Sequence, residues 1–124
     1  MLQNRGIGNA ICELILSKQG QNKDRPLKLF AASRKGEDFG LGSENVSYPK
    51  LDISSQESID AFAKSFAREG QVDVLINNAG INLDNDYNLE NAKQTMDVNY
   101  RGTLKVCAEC DGPMEHVLPN GQLY

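Results

Sequence analysis

The run Val72-Asp73-Val74-Leu75-Ile76, followed at once by Asn77-Asn78-Ala79-Gly80, limits the possible folds of this chain more than any other stretch. A short segment dense in Val, Leu and Ile reads as a strand buried on both faces, as in a parallel sheet covered by helices. The two amides after it can bond their own turn backbone, and Gly80 can take a positive φ. In a doubly wound sheet such a turn lies beyond the carboxyl end of a strand, where ligands bind. Taken alone, the nine residues describe no more than an ordinary strand and an Asx turn.

Helical periods surround that stretch. Ile7, Ile11, Leu14 and Ile15 fall on one face and predict a helix from near Gly6 to Lys18, closed by Gly20 and the polar segment Gln21 to Pro26. Leu27 to Ser33 reads as a strand, with Arg34 and Lys35 just past its end. Gly36 to Asn45 is a glycine-rich loop, and Val46 to Ile53 is a second strand. Pro49 cannot donate to a ladder, which places that strand at an edge. Ser54 with Glu57 forms a capping box, opening a helix that buries Ile59, Phe62, Ala63 and Phe66 and stops at Gly70.

Ile81 to Leu89 reads as a loop, and a further helix runs from about Glu90 to Ala108. Met96, Tyr100, Leu104 and Cys107 lie within reach of one of its faces. Gly102 inside a helix is unfavourable by about 1 kcal/mol relative to alanine, so it points to close packing or close backbone approach. The tail from Asp111 to Tyr124 shows no clear period, and there are no internal repeats. Strands interleaved with helices predict an α/β fold with a parallel sheet.

The chain has 124 residues, enough for one modest domain, and 40% of them are apolar, as in a globular protein. A net charge of −4 without a basic stripe argues against nucleic acid as a partner. No apolar run is long enough to cross a bilayer and the N-terminus lacks a signal-peptide pattern, so the expectation is a cytoplasmic chain without membrane contact. Three cysteines, an odd number, argue against a disulfide framework. Cys107 and Cys110 form a C-x-x-C late in a helix with no second pair to complete a zinc site, and no metal is expected.

Four features carry possible chemistry. Arg5-Gly6-Ile7-Gly8 opens a helix and could be half of a dinucleotide fingerprint, although position 2, where another glycine would stand, is Leu2. Ser33-Arg34-Lys35 ends a strand without the acid that would favour NAD, so Arg34, with Arg5 beside the same pocket, tips the reading towards NADP. A solvated basic pair is the alternative. Asp52 could accept from an adenine amino group, or start the capping segment with Ser54 and Ser55. Asn99 has no helix-propensity reason to sit in a helix: it is either exposed, or it bends the helix and bonds something in the cleft. His116 stands alone and receives no role.

Asn4-Arg5-Gly6-Ile7-Gly8, Ser33-Arg34, Leu51-Asp52-Ile53, Asn77-Asn78-Ala79-Gly80 and Asn99-Tyr100-Arg101-Gly102-Thr103 together resemble the short-chain dehydrogenase/reductase family, in particular its carbonyl reductase-like branch. The resemblance runs from residue 1 to about residue 109. It implies a Rossmann-like doubly wound sheet and hydride transfer from NADPH to a ketone or aldehyde. Gly6, Ile7 and Gly8 would meet the cofactor phosphates, with Arg5 and Arg34 near the extra phosphate of NADP. Asp52 and Ile53 would hold adenine, and Asn78, Ala79 and Gly80 would line the strand end beside the adenosine ribose. Asn99 would match the asparagine that supports the active-site lysine through a water.

The chain also departs from that pattern. The family begins with a strand and a Thr-Gly pair, and here Met1 and Leu2 stand in the pair's place. The family's serine and its Tyr-x-x-x-Lys have no counterpart: four residues after Tyr48, Tyr87 and Tyr100 come Asp52, Asn91 and Leu104. The expectation is therefore a partial NAD(P)-binding Rossmann domain over 1–109 and a divergent tail over 110–124, truncated at both ends. Such a fragment would be inactive alone and prone to self-association through exposed sheet edges. A non-catalytic fragment that binds nucleotide or pairs with a relative is the alternative. A flavodoxin-like signalling domain ranks last, for want of an acidic cluster or phosphate loop at the strand ends.

Overall fold

The computed structural model describes residues 6–19, 27–68, 72–83 and 88–111. The chain divides into two compact units, one of Met1–Asp52 with Asn78–Gly80 and one of Ile53–Asn77 with Ile81–Tyr124. Gly20, Gly70 and the tail beyond Asp111 lie outside the described residues.

The first unit opens with α1, Gly6–Gln19, close to the expected span. Its buried face is different from the expected one. Gly8 and Cys12, four residues apart, turn inward, while Ile7 is 74% exposed and Leu14 is exposed as well. Ile11 and Ile15 are half-buried. Small residues on the inner face allow close approach, and no described element of this unit covers Ile7 or Leu14.

Strands β1, Leu29–Phe30, and β2, Val46–Ser47, pair in parallel with Leu29 opposite Val46. The ladder continues past both. Ala31 N–H donates to Ser47 O at 2.8 Å, Ser33 N–H to Pro49 O at 3.1 Å, and Leu51 N–H to Ser33 O at 2.8 Å. Ser33 therefore lies beside Lys50 as a parallel bridge. Regular strand is shorter than the expected 27–33 and 46–53, but the pairing covers most of both. Pro49 contributes only its carbonyl, and with two strands paired among the described residues both are edges. Ala31, Ala32, Ser33 and Leu51 are buried.

The glycine-rich loop between the strands is tied down. Asp38 accepts from Gly40 N–H at 2.8 Å and from the Tyr48 hydroxyl, which together hold its carboxyl below the ordinary range. Leu41 N–H donates to the Tyr48 hydroxyl at 3.3 Å, and the rings of Phe39 and Tyr48 meet edge to face at 5.0 Å.

In the second unit α2, Gln56–Phe66, starts one residue later than the capping box predicts. Ser55 is the cap: its hydroxyl accepts from Ser58 N–H at 3.2 Å, and Glu57 faces that same hydroxyl at 3.4 Å instead of completing a box with Ser54. Ile59, Phe62 and Phe66 are buried as expected, with Ala63 half-buried. The strand expected at 72–76 is not formed. Val74 is 74% exposed and Ile76 39%, because an extended segment needs a neighbour to take its backbone groups, and none pairs with it among the described residues.

The last helical stretch has three parts: α3, Leu89–Met96; a π-helical segment, Asp97–Gly102; and α4, Thr103–Asp111. Asn88 caps α3 by accepting from Asn91 N–H at 2.7 Å. The buried face carries Gly102, Val106 and Cys110, four apart, and α4 packs on α2. The expected face is the outer one: Met96, Tyr100 and Leu104 are exposed, and Cys107 is half-buried. All three cysteines are free, and burial pushes the thiols of Cys12 and Cys110 up.

Candidate cofactor site

The first unit contains most of the expected site residues. Gly6 begins α1 at φ +61°, with no atom within 4 Å of the position a Cβ would take. Gly6 and Ile7 are exposed, Gly8 is buried, and the first turn carries no acid. A helix start presents N–H groups without intrahelical partners and the positive end of the dipole, so an open, acid-free start suits a phosphate. Asn78, Ala79 and Gly80 belong to this same unit; the first two are half-buried and Gly80 is exposed. Gly80 does not take the expected positive φ. Asn77 does not close an Asx turn either: its amide donates to Cys107 Sγ at 3.2 Å.

Arg34 stands exposed at the end of the β1 ladder, and Asp52 is half-buried just past the β2 ladder. Arg5 lies outside the described residues. Ile53, buried, and Asn99, exposed, belong to the second unit. Thus Gly6, Ile7, Gly8, Arg34, Asp52, Asn78, Ala79 and Gly80 are brought into one compact unit, and two expected residues are assigned elsewhere.

A turn that sequence reasoning misses fixes the Arg34 corner. The buried Ser33 hydroxyl accepts from Gly36 N–H at 3.0 Å. Gly36 sits at φ +69°, and a Cβ there would meet the Cβ of Lys50 at 2.9 Å. Backbone conformation and space both call for glycine. The signal in the sequence is the spacing Ser33-x-x-Gly36, but its meaning depends on Lys50 lying alongside, and strand register is not visible in a single sequence.

In the second unit Asn99 does both things that were open for it: it is exposed, and it bonds outside its own helix from a π segment. Its Oδ1 accepts from Ile81 N–H at 2.8 Å and its Nδ2 donates to Ile81 O at 2.7 Å. One amide thereby satisfies both backbone groups of the residue directly after Gly80. The wider π turn is rare and commonly marks a functional place in a helix. Asn99→Ala is expected to speed hydrogen exchange at the Ile81 amide and to lower stability by about 1 kcal/mol, since exposure lets water replace part of the bonding. Unchanged exchange at Ile81 would show that the two bonds do not hold the segment.

Among the described residues no cluster of three or more His, Cys, Asp or Glu could hold a metal, and no helix is long and apolar enough to cross a membrane.

The family model for short chain dehydrogenases matches residues 3–118. An uncharacterized oxidoreductase of Schizosaccharomyces pombe is 31% identical over 110 residues, covering 86% of this chain and 35% of its own length. Mouse carbonyl reductase [NADPH] 1 is 32% identical over 120 residues, covering 86% of this chain and 40% of its own length. The solved NADPH-bound carbonyl reductase from chicken fatty liver superposes with a TM-score of 0.73 at 23% identity, over 89% of this chain and 45% of that one. That likeness establishes a Rossmann-like fold. The chain spans 35% and 40% of the lengths of the two relatives named.

Proposed function

Since the chain belongs to the short chain dehydrogenase family, we propose that it forms the NADP-binding part of an oxidoreductase that reduces a ketone or aldehyde. The observation that carries the reading is the corner after β1, where a turn fixed by Ser33 and Gly36 presents Arg34, exposed, with no ion-pair partner among the described residues. An arginine there suits a phosphate on the adenosine ribose, whereas NAD would call for an acid accepting from the ribose hydroxyls. The NADPH named for the mouse and chicken relatives supports the same choice.

In this reading the N–H groups at Gly6, Ile7 and Gly8 take the pyrophosphate, and Arg34, with Arg5, takes the ribose phosphate. Asp52 meets adenine, and Asn78, Ala79 and Gly80 face the adenosine ribose. Asn99 holds the segment that follows through Ile81. The bound nicotinamide supplies the hydride. The 124 residues contain no Tyr-x-x-x-Lys, so no proton donor for the carbonyl oxygen is assigned within them, and turnover by this chain alone is not expected.

Calorimetric titration of the full chain tests the cofactor assignment. NADPH is expected to bind about tenfold more tightly than NADH, equivalent to about 1.4 kcal/mol, and Arg34→Ala to reduce the difference. Equal affinity for the two nucleotides, or none for either, would overturn the assignment.

A further inference from the structure

We infer that Lys50, together with Arg34, recognises the ribose phosphate of the cofactor, making it a second specificity-determining residue. This inference rests on the NADP reading above. Lys50 lies within the expected strand 46–53, and nothing in its sequence neighbourhood, Tyr48-Pro49-Lys50-Leu51, marks it as a ligand. Its position follows from the register. Ser33 and Lys50 are parallel bridge partners, and Arg34 is the next residue after Ser33. With about 3.8 Å between consecutive Cα atoms and about 4.8 Å between strands, the Cα atoms of Arg34 and Lys50 stand at most about 9 Å apart. Two long cationic side chains can converge on one phosphate across that gap.

The packing places the turn against Lys50 itself. Gly36 closes so tightly over this residue that an added Cβ would stand 2.9 to 3.1 Å from its Cβ, N and Cα. The nearby charges sort themselves. Lys35 is engaged by Glu37 at 3.7 Å, and Asp38 is taken up by Gly40 and Tyr48. The two acids that follow the basic turn are thus occupied within their own loop. Lys50 is exposed and has no ion-pair partner among the described residues, as is true of Arg34. Two unneutralised cations at one strand end, beside a basic residue already paired, form a site for a dianion. A flexible ammonium and a planar guanidinium suit such a phosphate from different directions.

The test is titration of the full chain and of Lys50→Gln, Lys50→Arg and Lys35→Gln with NADPH and NADH. For an exposed, screened contact Lys50→Gln is expected to weaken NADPH about fivefold and leave NADH unchanged. Lys50→Arg should restore the affinity, Lys35→Gln should have no effect, and the Lys50 contribution should shrink as salt is raised. If NADPH binds in preference to NADH and Lys50→Gln leaves that preference intact, the inference fails while the cofactor reading stands. If Lys50→Gln weakens both nucleotides equally, Lys50 only supports the turn and the inference fails as well. If the unaltered chain does not distinguish the nucleotides, the cofactor reading itself fails.

Discussion

Replacing Gly102 by alanine is expected to destabilise the second unit by about 3 kcal/mol, read as a lower midpoint in urea unfolding followed by far-ultraviolet circular dichroism. The added methyl would run into the carbonyl oxygen of Ile53 and stand 3.1 Å from its carbon and 3.3 Å from its Cβ. A main-chain carbonyl cannot swing aside as the end of a long side chain can, so relief requires the helical stretch to lift from Ile53. The sign of the effect is decisive. At an open position in a helix, exchanging glycine for alanine stabilises by about 1 kcal/mol. A more stable variant would therefore show that Gly102 does not touch Ile53. The same shift should reach Asn99, three residues earlier, and weaken its two bonds to Ile81.

Gly102 was legible in the sequence because glycine within a helix is unfavourable unless something presses against it. The core face of α2 was legible for a related reason: Ile59, Phe62 and Phe66 are large, and their spacing matches the helical period without interruption. The face of α4 was not. The buried residues of the stretch from α3 to α4, Gly102, Val106 and Cys110, are small, whereas the larger Met96, Tyr100 and Leu104 lie outside. Size and hydropathy pointed to the wrong side, and the π segment breaks the register between the two halves of the stretch. A similar inversion affects α1, where Gly8 and Cys12 are inside and Ile7 is outside.

What depends on partners distant in the chain was least legible. The residues 72–76 have the composition of a buried strand, yet a strand exists only with a neighbour, and composition does not supply one. The one-residue move of the cap from Ser54 to Ser55 is a local competition between two adjacent hydroxyls. At the candidate site the individual ligand types were readable, since glycines at a helix start and an arginine at a strand end each have a local physical meaning. Lys50 was not, because its place beside Ser33 is a fact of register.

Phe62→Ala is expected to show the largest loss of stability among simple truncations, about 4 kcal/mol. The ring is buried, lies 4.7 Å from the Phe66 ring at a tilt of 50°, and belongs to the helix that packs on α4. Truncation removes its transfer free energy and leaves a cavity that the surrounding side chains fill only in part. Ile7→Ala in α1 provides the contrast. Isoleucine is comparably apolar, but Ile7 is 74% exposed, and its truncation should change stability by no more than about 0.5 kcal/mol. Hydropathy periodicity would place both residues in a core and predict large losses for both. Urea unfolding of the two variants separates the cases: a large loss at Ile7 would return α1 to the face its isoleucines suggest, and a small loss at Phe62 would mean that α2 does not carry the core of the second unit.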